Sequence, residues 1–278
     1  MTEAQADSQW LPPRGTLGDL TSAAEARADL LMPRAEVLRR GSDTARPVPS
    51  LRSALKGAKV GIIAEVKRAS PSRGTINAKL SAADQARAYE LGGAVAISVL
   101  TEPTRFGGSN EDFVGVRSAV RLPVLKKDFH VAVIQLVEAR ALGASAALVI
   151  ARAVPPDRLA EMLTAGREIG LEILVEVRNR AELDLALSLG ADLIGINNRD
   201  LETLAVDPST SDRVIPLVPR SALAIAESGI ETRADVERAA AAGADAVLVG
   251  AALSASPDPE KALRVLVGVS RSADARQD

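Results

Sequence analysis

The 278-residue sequence predicts an α/β protein, a (β/α)8 TIM barrel with a helical N-terminal extension. Three observations lead there. From residue 60 onward, short aliphatic runs alternate with stretches of helical period. The runs lack inside/outside alternation, which suits strands buried on both faces of a parallel sheet. A Gly-Ala junction then recurs at the ends of helical segments, at Gly143-Ala144, Gly190-Ala191 and Gly243-Ala244, with a looser copy at Gly92-Gly93-Ala94. Glycine there takes the left-handed conformation that closes a helix and turns the chain into the next strand. Repeated at similar intervals, it marks a repeated βα unit, and eight such units closing on themselves account for about 210 residues. An open doubly wound sheet is the alternative, but no Gly-x-Gly-x-x-Gly fingerprint follows the first strand.

In chain order, residues 1–59 form the extension, with helices expected over Leu17–Leu31 and Pro33–Arg40, a proline-containing linker over Ser42–Ser50, and a short helix near 50–56. The barrel spans 60–269. Its eight strands are expected at 60–66, 94–100, 123–129, 146–150, 172–177, 193–198, 222–228 and 246–250. Helical segments fall at 109–120, 134–142, 157–169, 180–189, 208–218, 232–242 and 259–267, with a short helix at 251–254. The polar stretches 1–15 and 270–278 are expected to fray, the latter as a disordered tail.

Composition narrows the function. Hydrophobic residues make up 47% and charged residues 25%, an ordinary balance for a globular enzyme. Lys and Arg (34) nearly match Asp and Glu (36), so no positive excess points to nucleic acid or an anionic membrane. No apolar run approaches the length of a membrane span, and residues 1–16 lack the order of a secretory signal. Cysteine is absent and histidine occurs once, which excludes disulfides and thiol chemistry and leaves no expected metal site. The location expected is cytoplasmic. Only three Phe, one Trp and one Tyr are present, so the core must be aliphatic, and Phe106 and Phe129 at strand ends stand out.

In a barrel of this kind the chemistry sits where strands end, at the C-terminal face. Glu65 and Lys67 lie two apart and so point to one side of the first strand. Lys126 and Lys127 close the third, Glu176 the fifth, Asn197 and Arg199 the sixth, and Glu227 with Ser228 the seventh. With Lys127 taken as the inward member of its pair, Glu65, Glu176 and Glu227 balance Lys67, Lys127 and Arg199. Partly buried ions require such balance. A water-poor mouth holding both Lys and Glu supports acid and base roles at neutral pH. Ser228-Gly229 and Gly250-Ala251 end the last two strands, where barrels often bind phosphate through main-chain N–H groups, and Ser70 and Ser72 add hydroxyls. Position 251 is Ala, so any contact there comes from main chain.

Seven ordered segments, IIAEVKRASPSRG, SVLTEPTRFGGS, LPVLKKDF, LVEV, GADLIGINNRDLETL, AIAESGI and GADAVLVG, resemble indole-3-glycerol phosphate synthase over about residues 60–265. The resemblance implies a cofactor-free and metal-free carboxy-lyase of tryptophan biosynthesis. Its substrate is the small phosphorylated molecule 1-(2-carboxyphenylamino)-1-deoxyribulose 5-phosphate. It further implies that Lys127 is the general acid, Glu176 the base, and Lys67, partnered by Glu65, the holder of the carboxylate or a proton donor to the departing hydroxyl. Asn197, Arg199, Glu227 and Ser228 match a polar shell. Phe106, Phe129, Leu148 and Leu204 match apolar walls, and Ser70, Gly229 and Gly250 a phosphate cradle. Association with other tryptophan-pathway enzymes is a further expectation.

The sequence departs from the family pattern after KDF, where His130-Val131-Ala132-Val133-Ile134-Gln135 replaces an apolar pair followed by Asp-Pro-Tyr-Gln. That removes an N-cap Asp and a first-turn Pro, a helix-start defect of about 1 kcal/mol. His130 is expected to be a loop side chain without a catalytic role. Ser50-Leu51-Arg52 stands where an Asp-Phe is usual. A paralogue acting on a ring-substituted substrate, or a catalytically weak partner subunit, are the rival readings. The related barrel phosphoribosylanthranilate isomerase relies on a Cys/Asp pair, and this chain has no cysteine.

Overall fold

Eight parallel strands close on themselves in the order β1-β10-β9-β8-β7-β6-β5-β4. The computed structural model describes residues 10–78, 80–272 and 275–276. The strands are β1 (Gly61–Val66), a small antiparallel hairpin of β2 (Ala69–Ser70) and β3 (Gly74–Thr75), then β4 (Ala96–Leu100), β5 (Val124–Lys127), β6 (Ala146–Ile150), β7 (Glu172–Val177), β8 (Leu193–Asn197), β9 (Leu223–Glu227) and β10 (Ala246–Val249). The helices are α1 (Gly15–Leu31), α2 (Ala35–Asp43), α3 (Leu51–Ala54), α4 (Ala82–Gly92), α5 (Asn110–Ala119), α6 (Val133–Ala141), α7 (Pro156–Glu168), α8 (Arg180–Ser188), α9 (Ser209–Val214), α10 (Arg233–Ala242), α11 (Ala251–Ser254) and α12 (Pro259–Leu266). The (β/α)8 barrel and its helical N-terminal segment are therefore present as expected. Among the described residues, no helix is long and apolar enough to cross a membrane.

Local chemistry accounts for the boundaries. Ser50, Ser81, Ser109, Asn179, Thr232 and Asp258 each accept a backbone N–H from the first turn of α3, α4, α5, α8, α10 and α12. Pro216 has no N–H to donate, so the helix expected over 208–218 tightens after Val214 into a short 3-10 turn. Strand β5 stops at Lys127 rather than 129 because the Asp128 carboxylate takes the N–H of Phe129 at 2.8 Å and turns the chain. At α6 the residue before the helix is Ala132, which has no side-chain acceptor. Gln135 compensates: its Oε1 accepts from the N–H groups of Val131 at 2.8 Å and Ala132 at 3.1 Å.

The strand interior is aliphatic. Ile62, Leu125, Val175, Ile194, Ile225 and Val247 are all buried, each stabilising the fold by about 1.5–3 kcal/mol. Two of the few aromatics, Tyr89 and Phe113, are fully buried on helices of the outer layer.

The extension touches both ends of the barrel. Leu51 and Leu55 join the core below β1, the Ser50 hydroxyl donates to Glu172 at 2.5 Å, and Arg52 pairs with Asp192 at 2.6 Å. Leu17 and Leu20 of α1 are buried at the opposite end. In the segment from 270 onward, Ser270 bridges Lys59, while Arg271 and Arg276 pair with Asp245 at 2.9 Å and 2.7 Å. The rest of that expected tail, 273–274 and 277–278, lies outside the described residues, as do 1–9 of the N-terminal stretch.

Candidate active site

Strand alternation places every second residue of the C-terminal ends on one side, so Glu65 with Lys67, Leu148 with Ile150, and Leu248 with Gly250 enter one cavity of about 280 Å³. The charged candidates Glu65, Lys67, Lys127, Glu176, Arg199 and Glu227 all line it, with Asn197 and Ser228. So do Ser70, Phe106, Phe129, Leu148, Leu204, Gly229, Gly250 and Ala251. Lys126 points the other way, into the helix layer, 3.6 Å from both Asp128 and Glu138.

At the centre, the Lys127 ammonium lies 3.4 Å from Glu176 Oε2 and 3.5 Å from Glu227 Oε2. Burial would lower its pKa, but Glu227, Glu176 and Glu65 together outweigh burial and push it above the ordinary lysine value. Lys127 is therefore held as an ammonium. Burial pushes the Glu227 carboxyl up to about 8 against the pull of Lys127, with Glu176 and Glu65 adding repulsion. Of the carboxyls around Lys127, Glu227 is the one that burial biases toward its protonated form. Asn197 donates to Glu176 Oε1 at 2.8 Å and orients it.

Neighbouring residues make room for these carboxylates. Gly195 and Gly250 carry no Cβ, and one at either position would collide with Glu227 or Glu65 respectively. The Lys67 ammonium sits 3.1 Å from Glu65 Oε1 and 5.6 Å from the centre of the Phe106 ring. The Phe106 and Phe129 rings are 6.0 Å apart between centroids. Among the described residues, Ser228 (φ 64°) and Leu204 (φ 65°) are the non-glycine residues held in the left-handed region, and both border the cavity. Backbone strain of this kind gathers at functional sites.

A scan against family models matches indole-3-glycerol phosphate synthase over residues 22–266. A curated relative of that description from a Nocardioides species is 48% identical over 223 residues, covering 80% of this chain and 84% of its own. Another, from Dehalococcoides mccartyi, is 42% identical over 244 residues, covering 87% and 94%. The chain belongs to the indole-3-glycerol phosphate synthase family. A solved structure of a Pyrococcus furiosus protein described as thiamine phosphate pyrophosphorylase shares the fold alone, at 18% identity and a TM-score of 0.57, covering 78% of this chain and 96% of that one.

In this member of the indole-3-glycerol phosphate synthase family, one cavity residue, Arg73, and two supporting hydroxyls carry no signal in the sequence. Arg73 lines the cavity, pairs with Glu231, and lies close enough to Arg199 to add to the lowering that burial causes there. The hydroxyls of Tyr89 and Ser254 reach the Glu65 carbonyl at 3.3 Å and 3.1 Å, tying α4 and α11 to the end of β1.

His130 is buried at 2% exposure and does not border the cavity. Its Nδ1 lies 2.7 Å from the Leu148 carbonyl, which only accepts, so Nδ1 carries the proton. Burial, aided by Lys126, pushes its pKa down to about 4. The unfolded chain takes up a proton near pH 6.5 that the folded one refuses, so stability falls as pH drops from about 6.5 to about 4 and then levels off. Across that window His130→Leu is expected to remove about 3 kcal/mol of pH dependence. Urea unfolding of both proteins at pH 7 and pH 4.5 measures this, and identical pH dependence would refute the buried neutral imidazole.

Proposed function

We propose that this chain is an indole-3-glycerol phosphate synthase that closes the indole ring with the charged cluster described above. The activity follows from the family: 1-(2-carboxyphenylamino)-1-deoxyribulose 5-phosphate is converted to indole-3-glycerol phosphate, carbon dioxide and water. The single observation that carries the residue assignment is Lys127, held as an ammonium between Glu176 and Glu227, in one cavity with Lys67 and two phenylalanine rings.

Ring closure requires the ketose carbonyl carbon to meet the aromatic carbon that bears the carboxylate. Phe106, Phe129, Leu148 and Leu204 grip the anthranilate ring, and Ser70, Gly229, Gly250 and the main chain at Ala251 hold the phosphate, which fixes that approach. Arg73 and Arg199 repel one another, and a phosphate near them would relieve the repulsion. Lys127 protonates the carbonyl oxygen as the carbon–carbon bond forms and cancels the developing alkoxide charge. Loss of carbon dioxide leaves its electron pair to restore the aromatic ring. Lys67 first holds the carboxylate and then stands ready to protonate the departing hydroxyl. Glu176 takes the proton from the methylene carbon beside nitrogen, water leaves, and the indole double bond forms. Asn197, Arg199, Glu227 and Ser228 supply the polar shell around these steps.

The test is direct: purified protein incubated with the carboxyphenylamino-deoxyribulose phosphate should develop indole fluorescence and release one carbon dioxide per product. No product at high enzyme concentration would sink the assignment. Better turnover of a ring-substituted substrate than of the parent would favour a specialised paralogue instead. We also assign the enzyme to the cytoplasm and expect it to associate with other tryptophan-pathway enzymes. The absence of cysteine supports the former. Fractionation and co-purification from the native host test both.

A further inference from the structure

We propose that Arg27, in the N-terminal extension, is a positioning residue that fixes the two phenylalanine walls relative to one another by tying the carboxylates of Glu102 and Asp128 together. The inference rests on the assignment of Phe106 and Phe129 as walls that grip the aromatic ring of the substrate.

Glu102 is fully buried in the loop after β4, and that loop is wrapped around its side chain. One oxygen accepts from the Thr104 N–H at 2.9 Å and the Thr104 hydroxyl at 2.5 Å. The other accepts from the N–H groups of Arg105 at 2.7 Å and Phe106 at 3.1 Å. Asp128 plays the same part after β5: Oδ1 accepts from the Phe129 N–H at 2.8 Å, and Oδ2 from the Thr101 hydroxyl at 2.6 Å. Each carboxylate thus holds the backbone of one aromatic residue.

Arg27 spans the two. Its Nη2 donates to Asp128 Oδ1 at 2.6 Å, and its Nη1 reaches Glu102 Oε1 at 3.5 Å. Burial alone would raise the Asp128 carboxyl, but Lys126, Arg27 and the Thr101 hydroxyl help outweigh it and keep the group below the usual range. A rigid guanidinium bonded to two carboxylates fixes their separation, which a single ammonium does less well. Arg27 is also the member that can be removed. Its side chain is 27% exposed, and both carboxylates keep other donors without it. The loops should therefore stay folded while the rings lose their common reference.

The test compares wild type, Arg27→Met, Arg27→Lys, and both backgrounds of Phe106→Leu. With the parent substrate, Arg27→Met should raise KM about tenfold and leave kcat within about threefold, the pattern of lost ring gripping. In the Phe106→Leu background the same change should raise KM less than about twofold, because coupled sites do not add. Arg27→Lys, which keeps the charge and the stem, should fall between wild type and Arg27→Met, and it carries the test if the methionine variant does not fold. An unchanged KM with a lowered melting temperature would make Arg27 a stability strap only. An equal rise of KM in both backgrounds would also overturn the proposal. Wild-type turnover checks the underlying assignment separately: if wild type makes no product the function fails, and if only the coupling is missing this inference fails alone.

Discussion

Replacing Lys127 with alanine should lower kcat by about 1,000-fold, within the range that loss of a general acid produces, and leave the protein folded. Among the described residues the ammonium is the one cation within ion-pair distance of both Glu176 and Glu227, so none of them replaces it as donor to the ketose oxygen. Truncating one partner of a buried pair ordinarily destabilises a fold, because it leaves an orphan charge. The pKa of Glu227, already up at about 8, offers the escape. Once the ammonium that lowers it is gone, that carboxyl takes up a proton, and Glu176 keeps the Asn197 amide at 2.8 Å. Steady-state indole fluorescence with a thermal melt separates the two effects. Near-normal kcat would exclude Lys127 as the acid, and collapse of the melt would mean that it is a structural ion.

Glu176→Gln should lower kcat by about 100-fold or more while KM moves by less than about threefold. Glutamine keeps the shape and an oxygen for Asn197, but it cannot take the methylene proton. Its amide also presents hydrogens toward the ammonium, which weakens the grip on Lys127. The pre-steady-state course should then show ring closure and decarboxylation outrunning dehydration. A large rise in KM with kcat preserved would point to a binding role and remove the base from the scheme.

The barrel was readable in the sequence because its signals are periodic. Each aliphatic run is long enough to mark a strand, and each Gly-Ala junction marks a helix end. The cavity residues were readable for the related reason that a charge ending an apolar run must point at something. Glu102 and Asp128 had no such signal. Glu102 is satisfied mainly by its own loop and by an arginine 75 positions away, and neither leaves a repeat or a spacing. Of helix α4 the sequence shows chiefly its end, at the Gly92-Gly93-Ala94 junction, while its buried face carries Ala82, Gln85, Ala86 and Tyr89. The hairpin of β2 and β3 is two residues per strand, too short for alternation to show. For His130 the sequence supports only a loop side chain without a catalytic role, because its burial against the Leu148 carbonyl depends on how two strands meet.

The 3.1 Å contact between Lys67 and Glu65 bears on how the catalytic cycle ends. In the proposed scheme, an incoming carboxylate must compete with Glu65 for that ammonium. Once carbon dioxide and the hydroxyl have both gone, the product has nothing left to offer Lys67, and the internal partner reclaims it. Discharge of the indole is thereby favoured by the same lysine that helped admit its precursor.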